Sequence, residues 1–208
     1  MALRGLYAIT PDWDDTARLL AAVSQSIEGG AVMVQYRNKR ADVALRHEQA
    51  SELLALCQNH DIPLIINDDL RLAAMVDADG LHLGGGDGSL TEARLILGPE
   101  KIIGLSCYAD LSRALTAEDE GADYVAFGRF YPSRTKPAAS PAPLELLTQA
   151  QRHLQISVAA IGGIDSANAP DLIRAGADFV AVIAALFEAA DIRAAAQGFQ
   201  ALFSEEPA

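Results

Sequence analysis

The sequence predicts a single α/β domain folded as a (β/α)8 TIM barrel, and three observations carry that expectation. First, short apolar, β-branched runs recur at 5–10, 31–37, 63–67, 80–83, 102–107, 124–129, 157–163 and 179–184. Several are almost unbroken in apolar residues, as strands buried on both faces of a parallel sheet are. Second, the stretches between them carry helical periodicity. In 42–59, for example, Ala50, Leu53, Leu54 and Cys57 fall on one face. Third, the strands open in two alternating ways. Runs four, six and eight open with Ala78-Asp79-Gly80, Ala122-Asp123-Tyr124 and Ala177-Asp178-Phe179, and Gly29-Gly30-Ala31-Val32 is a looser copy before run two. Runs three, five and seven open differently and reach Ile third, as in His60-Asp61-Ile62, Glu100-Lys101-Ile102 and Leu154-Gln155-Ile156. Such alternation suits a barrel whose core layers draw on alternate strands. A doubly wound open sheet is the rival architecture, since 208 residues is near the short end for a barrel.

Nothing in the chain marks a linker or second domain, so residues 1–208 read as one unit with enough length for one core. The Pro-rich segment 132–143 follows run six and exceeds a minimal strand–helix turn, which makes it a candidate functional loop. Half the residues are hydrophobic and 21% are charged, which argues against disorder. The net charge of −12 repels nucleic acid and anionic membrane surfaces, so neither is an expected partner. Cys57 and Cys107 form no disulfide framework and read as free thiols of a reducing compartment. Residues 1–5 lack the apolar core of a secretory leader, and no run is long enough to span a bilayer. The expectation is a cytoplasmic protein.

In a barrel of this kind the chemistry sits at the C-terminal ends of the strands. Run two ends in Gln35-Tyr36-Arg37-Asn38-Lys39, run three in Asn67-Asp68-Asp69, and run four in His82-Leu83-Gly84-Gly85-Gly86-Asp87. Run five ends at Ser106, run six leads into Arg129 and then Ser133-Arg134-Thr135-Lys136, and run seven ends in Gly162-Gly163. Six basic residues, Arg37, Lys39, Arg40, Arg129, Arg134 and Lys136, follow just two strands of an acidic chain. A local positive field of that kind points to an anionic ligand such as phosphate or pyrophosphate. Gln35, Arg37 and Lys39 are spaced two apart, so an extended segment presents all three to one side.

Asp68 and Asp87 come from adjacent strand ends. A carboxylate pair beside a polyphosphate is a typical Mg2+ site, completed by substrate oxygens and water. Asp69 reads instead as a helix cap. Gly162-Gly163 and the end of run eight would form a backbone phosphate cradle. His82, a lone histidine at a strand end, reads as a packed, hydrogen-bonded residue. No zinc-ligand spacing, nucleophile elbow or P-loop occurs.

Taken together in order and spacing, these motifs resemble the thiamine-phosphate synthase family over nearly the whole chain. The segments that carry the resemblance are Leu6-Tyr7-Ala8-Ile9-Thr10, Gln35 through Lys39, Ile66-Asn67-Asp68, Gly80-Leu81-His82-Leu83-Gly84 with Asp87, Gly104-Leu105-Ser106, Gly128 through Lys136, and Ile161-Gly162-Gly163-Ile164. The resemblance implies coupling of 4-amino-2-methyl-5-hydroxymethylpyrimidine diphosphate to hydroxyethylthiazole phosphate, with release of pyrophosphate. It implies that Gln35, Arg37, Lys39 and Asn67 hold the pyrimidine diphosphate and that Asp68 and Asp87 bind Mg2+. It places Ser106 near the pyrimidine and the departing diphosphate, Ser133, Thr135 and Lys136 on the phosphates, and Gly163, Ile183 and Ala184 by the thiazole phosphate. Arg37, Lys39, Ser106 and Lys136 are the implied catalytic set. The implied route is dissociative, so no strong general base is needed, and the implied partners are small phosphorylated molecules.

The chain departs from the family pattern at Gly85, where Gln is frequent, and at Ser133, which keeps a hydroxyl in place of threonine. Ile183-Ala184 stands where a serine is common, and Cys107-Tyr108 replaces a small residue plus His. Three other functions fit the same fold. A thiazole tautomerase would have no use for the diphosphate-binding residues. A non-catalytic binder of thiamine precursors would not need the aspartate pair. A sugar-phosphate isomerase or epimerase would need a base, for which Asp12 and His82 are the candidates. A homo-oligomer is compatible with the sequence, which does not specify one.

Overall fold

Eight parallel strands close on themselves in the computed structural model, which describes residues 4–86, 88–132 and 141–204. Along the chain these are β1 (Gly5–Ile9), α1 (Thr16–Glu28), β2 (Met33–Tyr36), α2 (Val43–Gln58), β3 (Leu64–Asn67), α3 (Leu70–Val76), β4 (Gly80–Leu83) and α4 (Leu90–Leu97). They continue with β5 (Ile102–Tyr108), α5 (Leu111–Asp119), β6 (Tyr124–Gly128), α6 (Glu145–His153), β7 (Ser157–Ile161), α7 (Ala169–Arg174), β8 (Phe179–Val182), α8 (Ala184–Phe187) and α9 (Ile192–Ala201). Pairing of β1 with β8, from Gly5 with Phe179 to Ala8 with Val182, closes the barrel and excludes the open-sheet alternative.

Each predicted run contains a strand, with some shortened. Run eight stops at Val182 because Ile183 already serves as the N-cap of α8. Run seven stops at Ile161, before two glycines with positive φ. β5 instead extends one residue past its predicted end, to Tyr108, and its register against β6 shifts between Ser106 and Tyr108.

The helices start where short polar side chains can take an orphan N–H. Asp15, Asp42, Asp69, Ser89, Asp110 and Asp191 each accept from the backbone three residues on. Each such cap stabilises its helix by about 1 kcal/mol. Asp69 is therefore the cap of α3, as its spacing predicted. Within α2, Ala50, Leu53 and Cys57 are buried and Leu54 packs against them at the margin. Cys57 and Cys107 are both buried free thiols. Among the described residues no helix is long and apolar enough to cross a membrane.

The alternating strand openings have a physical cause at the N-terminal end of the barrel. Asp79 Oδ2 accepts from the Leu64 N–H of β3 at 2.8 Å, Asp123 Oδ2 from Ile103 of β5 at 2.7 Å, and Asp178 Oδ2 from Val158 of β7 at 2.9 Å. β4, β6 and β8 are thus each preceded by a carboxylate that clasps the odd strand before it. Before β2 the matching residue is Val32, which has no carboxylate, and there the role passes to another element. Gln200 of α9 accepts from the Leu6 N–H of β1 at 3.3 Å.

Apolar packing forms two shells. The outer one lies between strands and helices; the inner one fills the lower lumen with Tyr7, Ile65, Tyr124, Phe179 and smaller neighbours. Tyr7, Tyr124 and Phe179 meet edge to face, with ring centroids 5.9–6.3 Å apart. Gly104 makes room for the Tyr124 ring, since any side chain there would collide with it. These aromatics plug the base of the barrel and leave its C-terminal mouth open.

Candidate active site

A cavity of about 550 Å3 occupies that mouth, and every one of the eight strands contributes to its wall. Volumes in this range suit a small ligand. Gln35, Arg37 and Lys39 all line it, as their two-residue spacing predicted. Arg37 is held in place at both its backbone and its guanidinium. Its N–H donates to Thr10 Oγ1 at 2.8 Å, and its Nη1 donates to Asp12 Oδ1 at 2.9 Å. Asp12 also accepts from the Lys39 N–H at 2.9 Å, so one carboxylate orders two basic residues. Arg129 lines the cavity as well, whereas Arg40 is exposed and does not.

Asn67 and Asp68 enter from the end of β3. Asp68 sits at φ 62°, a left-handed conformation uncommon for a residue with a side chain. Strain of this kind costs about 1–3 kcal/mol and is found where a side chain must be aimed. The Asp68 N–H donates to the His82 carbonyl at 2.8 Å, fixing β3's end against β4. Its carboxylate lies 3.0 Å from the Lys39 ammonium. Asp68 therefore already accepts a cation at the cavity edge. Among the described residues no three His, Cys, Asp or Glu side chains form a metal-binding group. Asp87, the other predicted metal ligand, lies outside the described residues. So do Ser133, Arg134, Thr135 and Lys136.

Ser106 lines the cavity from β5, and a chain of hydrogen bonds runs from it across the barrel floor. His82 Nε2 lies 2.9 Å from Ser106 Oγ, and His82 Nδ1 lies 2.9 Å from the Tyr124 hydroxyl. The Tyr124 and Tyr7 hydroxyls are 2.8 Å apart, and Gln35 Nε2 donates to Tyr7 at 2.7 Å. His82 is thus packed and hydrogen-bonded, as expected. The tyrosines were not legible as site residues, because inward-facing aromatics on strands look like core. Burial raises both tyrosine pKa values well above the ordinary phenol range, so both hydroxyls keep their protons.

The opposite wall is backbone. Gly162 and Gly163 adopt φ of 104° and 66°, and a side chain at either would strike the 129–132 segment. Asn168 Nδ2 donates to the Gly163 carbonyl at 3.0 Å and holds the turn. Ile183, Ala184 and Ala185 lie alongside at the start of α8. Opening N–H groups of a helix have no intrahelical partner and favour an anion.

Two departures noted in the sequence prove to be one packing arrangement. The Gly85 N–H donates to the Tyr108 hydroxyl at 3.0 Å, and a β-carbon at position 85 would lie 2.5 Å from that oxygen. The Tyr108 ring fills the space a larger residue 85 would need. Arg113 lies over the same ring at 5.8 Å and donates to the Ser106 carbonyl at 2.9 Å.

The site thus combines a basic strand end, a carboxylate carrying a cation, and a glycine-bounded anion wall. Comparison with known proteins agrees with that chemistry. A family model described as thiamine monophosphate synthase matches residues 6–186. A thiamine-phosphate synthase from Thiobacillus denitrificans is 57% identical over 203 residues, covering 98% of this chain and 96% of the relative. One from Methylococcus capsulatus is 54% identical over 200 residues, covering 96% and 89%. The solved thiamine phosphate pyrophosphorylase of Pyrococcus furiosus superposes with a TM-score of 0.86 at 35% identity, covering 97% of this chain and 96% of that one. A 3-hexulose-6-phosphate synthase structure, at 19% identity and a TM-score of 0.68, shares the fold alone. The chain is a member of the thiamine monophosphate synthase family.

Proposed function

We propose that this chain is a thiamine-phosphate synthase, working as a single domain over residues 1–208. It joins the pyrimidine diphosphate to the thiazole phosphate and releases pyrophosphate. The observation that carries this reading is the convergence of Gln35, Arg37 and Lys39 with Asn67, Asp68 and Ser106 on one cavity, opposite a glycine turn. A tautomerase acting on the thiazole phosphate alone would leave the diphosphate half of that cavity without a use.

In this reading Arg37, Lys39 and Lys136 bind the diphosphate and stabilise the charge that develops as it departs. Gln35, Asn67 and Ser106 orient the pyrimidine, with Ser133 and Thr135 as further phosphate contacts. Gly163 and the backbone at Ile183 and Ala184 hold the thiazole phosphate near the carbon left electron-poor. The thiazole nitrogen then attacks that carbon. Donors fixed in advance toward developing charge, together with close positioning, supply the acceleration without a strong base.

Asp68 and Asp87 would hold Mg2+, which contributes neutralisation of the diphosphate when bound. The fit rests on Asp68, whose carboxylate already lies against an ammonium. Two carboxylates plus substrate oxygens satisfy a cation that keeps several non-protein ligands. The reaction takes place on small phosphorylated molecules in the cytoplasm, without nucleic acid or membrane.

The test is to combine the protein with both substrates and Mg2+ and to follow thiamine phosphate and pyrophosphate together. Equal, Mg2+-dependent appearance of both is expected. Asp87→Ala and Lys136→Ala should each lower turnover by roughly 10²- to 10³-fold. A folded protein that makes neither product would overturn the proposal.

A further inference from the structure

The hydrogen bonds beneath the cavity take their direction at one end from the Gln35 amide. An amide nitrogen has protons to give and no lone pair to accept with. Gln35 Nε2 points at the Tyr7 hydroxyl oxygen, 2.7 Å away, so Tyr7 accepts there. The Tyr7 proton is then available to the one hydroxyl beside it, Tyr124 at 2.8 Å. Having accepted from Tyr7, Tyr124 gives its own proton to His82 Nδ1 at 2.9 Å. A ring nitrogen that accepts carries no proton, which places the imidazole proton on Nε2. Nε2 donates to Ser106 Oγ at 2.9 Å. The Ser106 oxygen is then an acceptor toward His82, and its proton faces the cavity it lines.

We infer that Gln35, Tyr7, Tyr124 and His82 form a one-way hydrogen-bond relay that holds Ser106 as a donor toward the bound substrate. His82 and the two tyrosines are positioning residues acting through Ser106. They come from three different strands, β1, β4 and β6, and are buried. Burial makes an unmatched donor or acceptor costly, which favours one consistent orientation along the chain. The near-parallel His82 and Tyr124 rings, 5.5 Å apart, hold the ring from the side and limit its rotation. Both tyrosines keep their protons because burial opposes their ionisation. A fixed donor at Ser106 meets a lone pair on the ligand, whether on a phosphate oxygen or on a ring nitrogen. This consequence for the substrate rests on the synthase reading, whereas the relay itself does not and can be tested in the free protein.

The test reads the His82 tautomer by two-bond 1H–15N correlation NMR, with His82→Gln identifying its signals by their loss. In the wild type, Nε2 should appear in the N–H range and Nδ1 in the unprotonated range. The reverse assignment would overturn the relay outright, with no variant needed. Gln35→Glu then exchanges the donor at the head of the relay for an acceptor of the same shape. Once the introduced carboxyl is ionised, read from its own 13C shift because burial raises a carboxyl pKa, this should reverse each link and swap the two His82 nitrogen shifts, two residues away from the change. A His82 tautomer indifferent to Gln35→Glu with its carboxylate ionised would refute directional transmission, whatever the enzyme assay shows.

Discussion

Aspartates stand at both ends of the same barrel and are put to opposite uses. At the N-terminal end Asp79, Asp123 and Asp178 each close onto a backbone N–H of the neighbouring strand. Arg94 adds to that end. Its Nη1 donates to the carbonyls of Gly98, Pro99 and Lys101, and its Nη2 to Gly121 and Asp123. At the C-terminal end Asp12 and Asp68 instead sit against Arg37 and Lys39, whose charges face a cavity. One end spends its charges on the chain itself and gains stability. The other keeps them available to a ligand.

The contrast predicts separable effects of substitution at the two ends. The largest belongs to the mouth. Lys39→Met should lower kcat/KM by roughly 10²-fold or more, while the thermal midpoint, measured on the same preparation, stays within a few degrees of wild type. A comparable loss of folding stability would mean that Lys39 serves the fold. At the other end Arg94→Met should reduce unfolding free energy by about 2 kcal/mol in urea titrations, with turnover per folded molecule unchanged. Asp178→Ala should cost about 1–2 kcal/mol by leaving the Val158 N–H without its acceptor, again with no kinetic effect.

Gln200→Ala, which removes the longest clasp at 3.3 Å, should cost at most about 1 kcal/mol.

A pH dependence is shared by both ends. Burial pushes the Cys57 and Cys107 thiols up to about 12 from an ordinary value of 9.0. Because the folded state holds these protons more tightly, their contribution is complete below about pH 9. It is lost as pH rises toward 12. Urea midpoints should therefore fall between about pH 8 and pH 10, and fall less in a Cys57→Ala, Cys107→Ala double variant. An equal fall in both proteins would assign the loss to other groups.

Strand count, order and parallel character followed from eight apolar runs and the helical stretches between them, because burial on both faces leaves a local record in composition. The spacing of Gln35, Arg37 and Lys39 was likewise sufficient to put them on one side, since a strand's two-residue period is local geometry. The alternating Ala-Asp openings were visible too, but their purpose was not. A carboxylate that clasps the strand before it becomes interpretable only when the strands are neighbours. The same holds for Gly85 and Tyr108, two separate oddities along the chain that share one volume in space.

Tyr7, Tyr124 and His82 mark the boundary most clearly. Each residue type at its position is what a packed strand would carry. Their connection spans sequence separations of 117 and 42 residues. Local pattern therefore specified which faces are buried, which strand ends are charged and what family chemistry those ends resemble. Closure of the barrel alone decided which buried hydroxyls touch, because hydrogen bonds across the lumen depend on strand stagger and on the room left by Gly104, neither of which any single segment encodes.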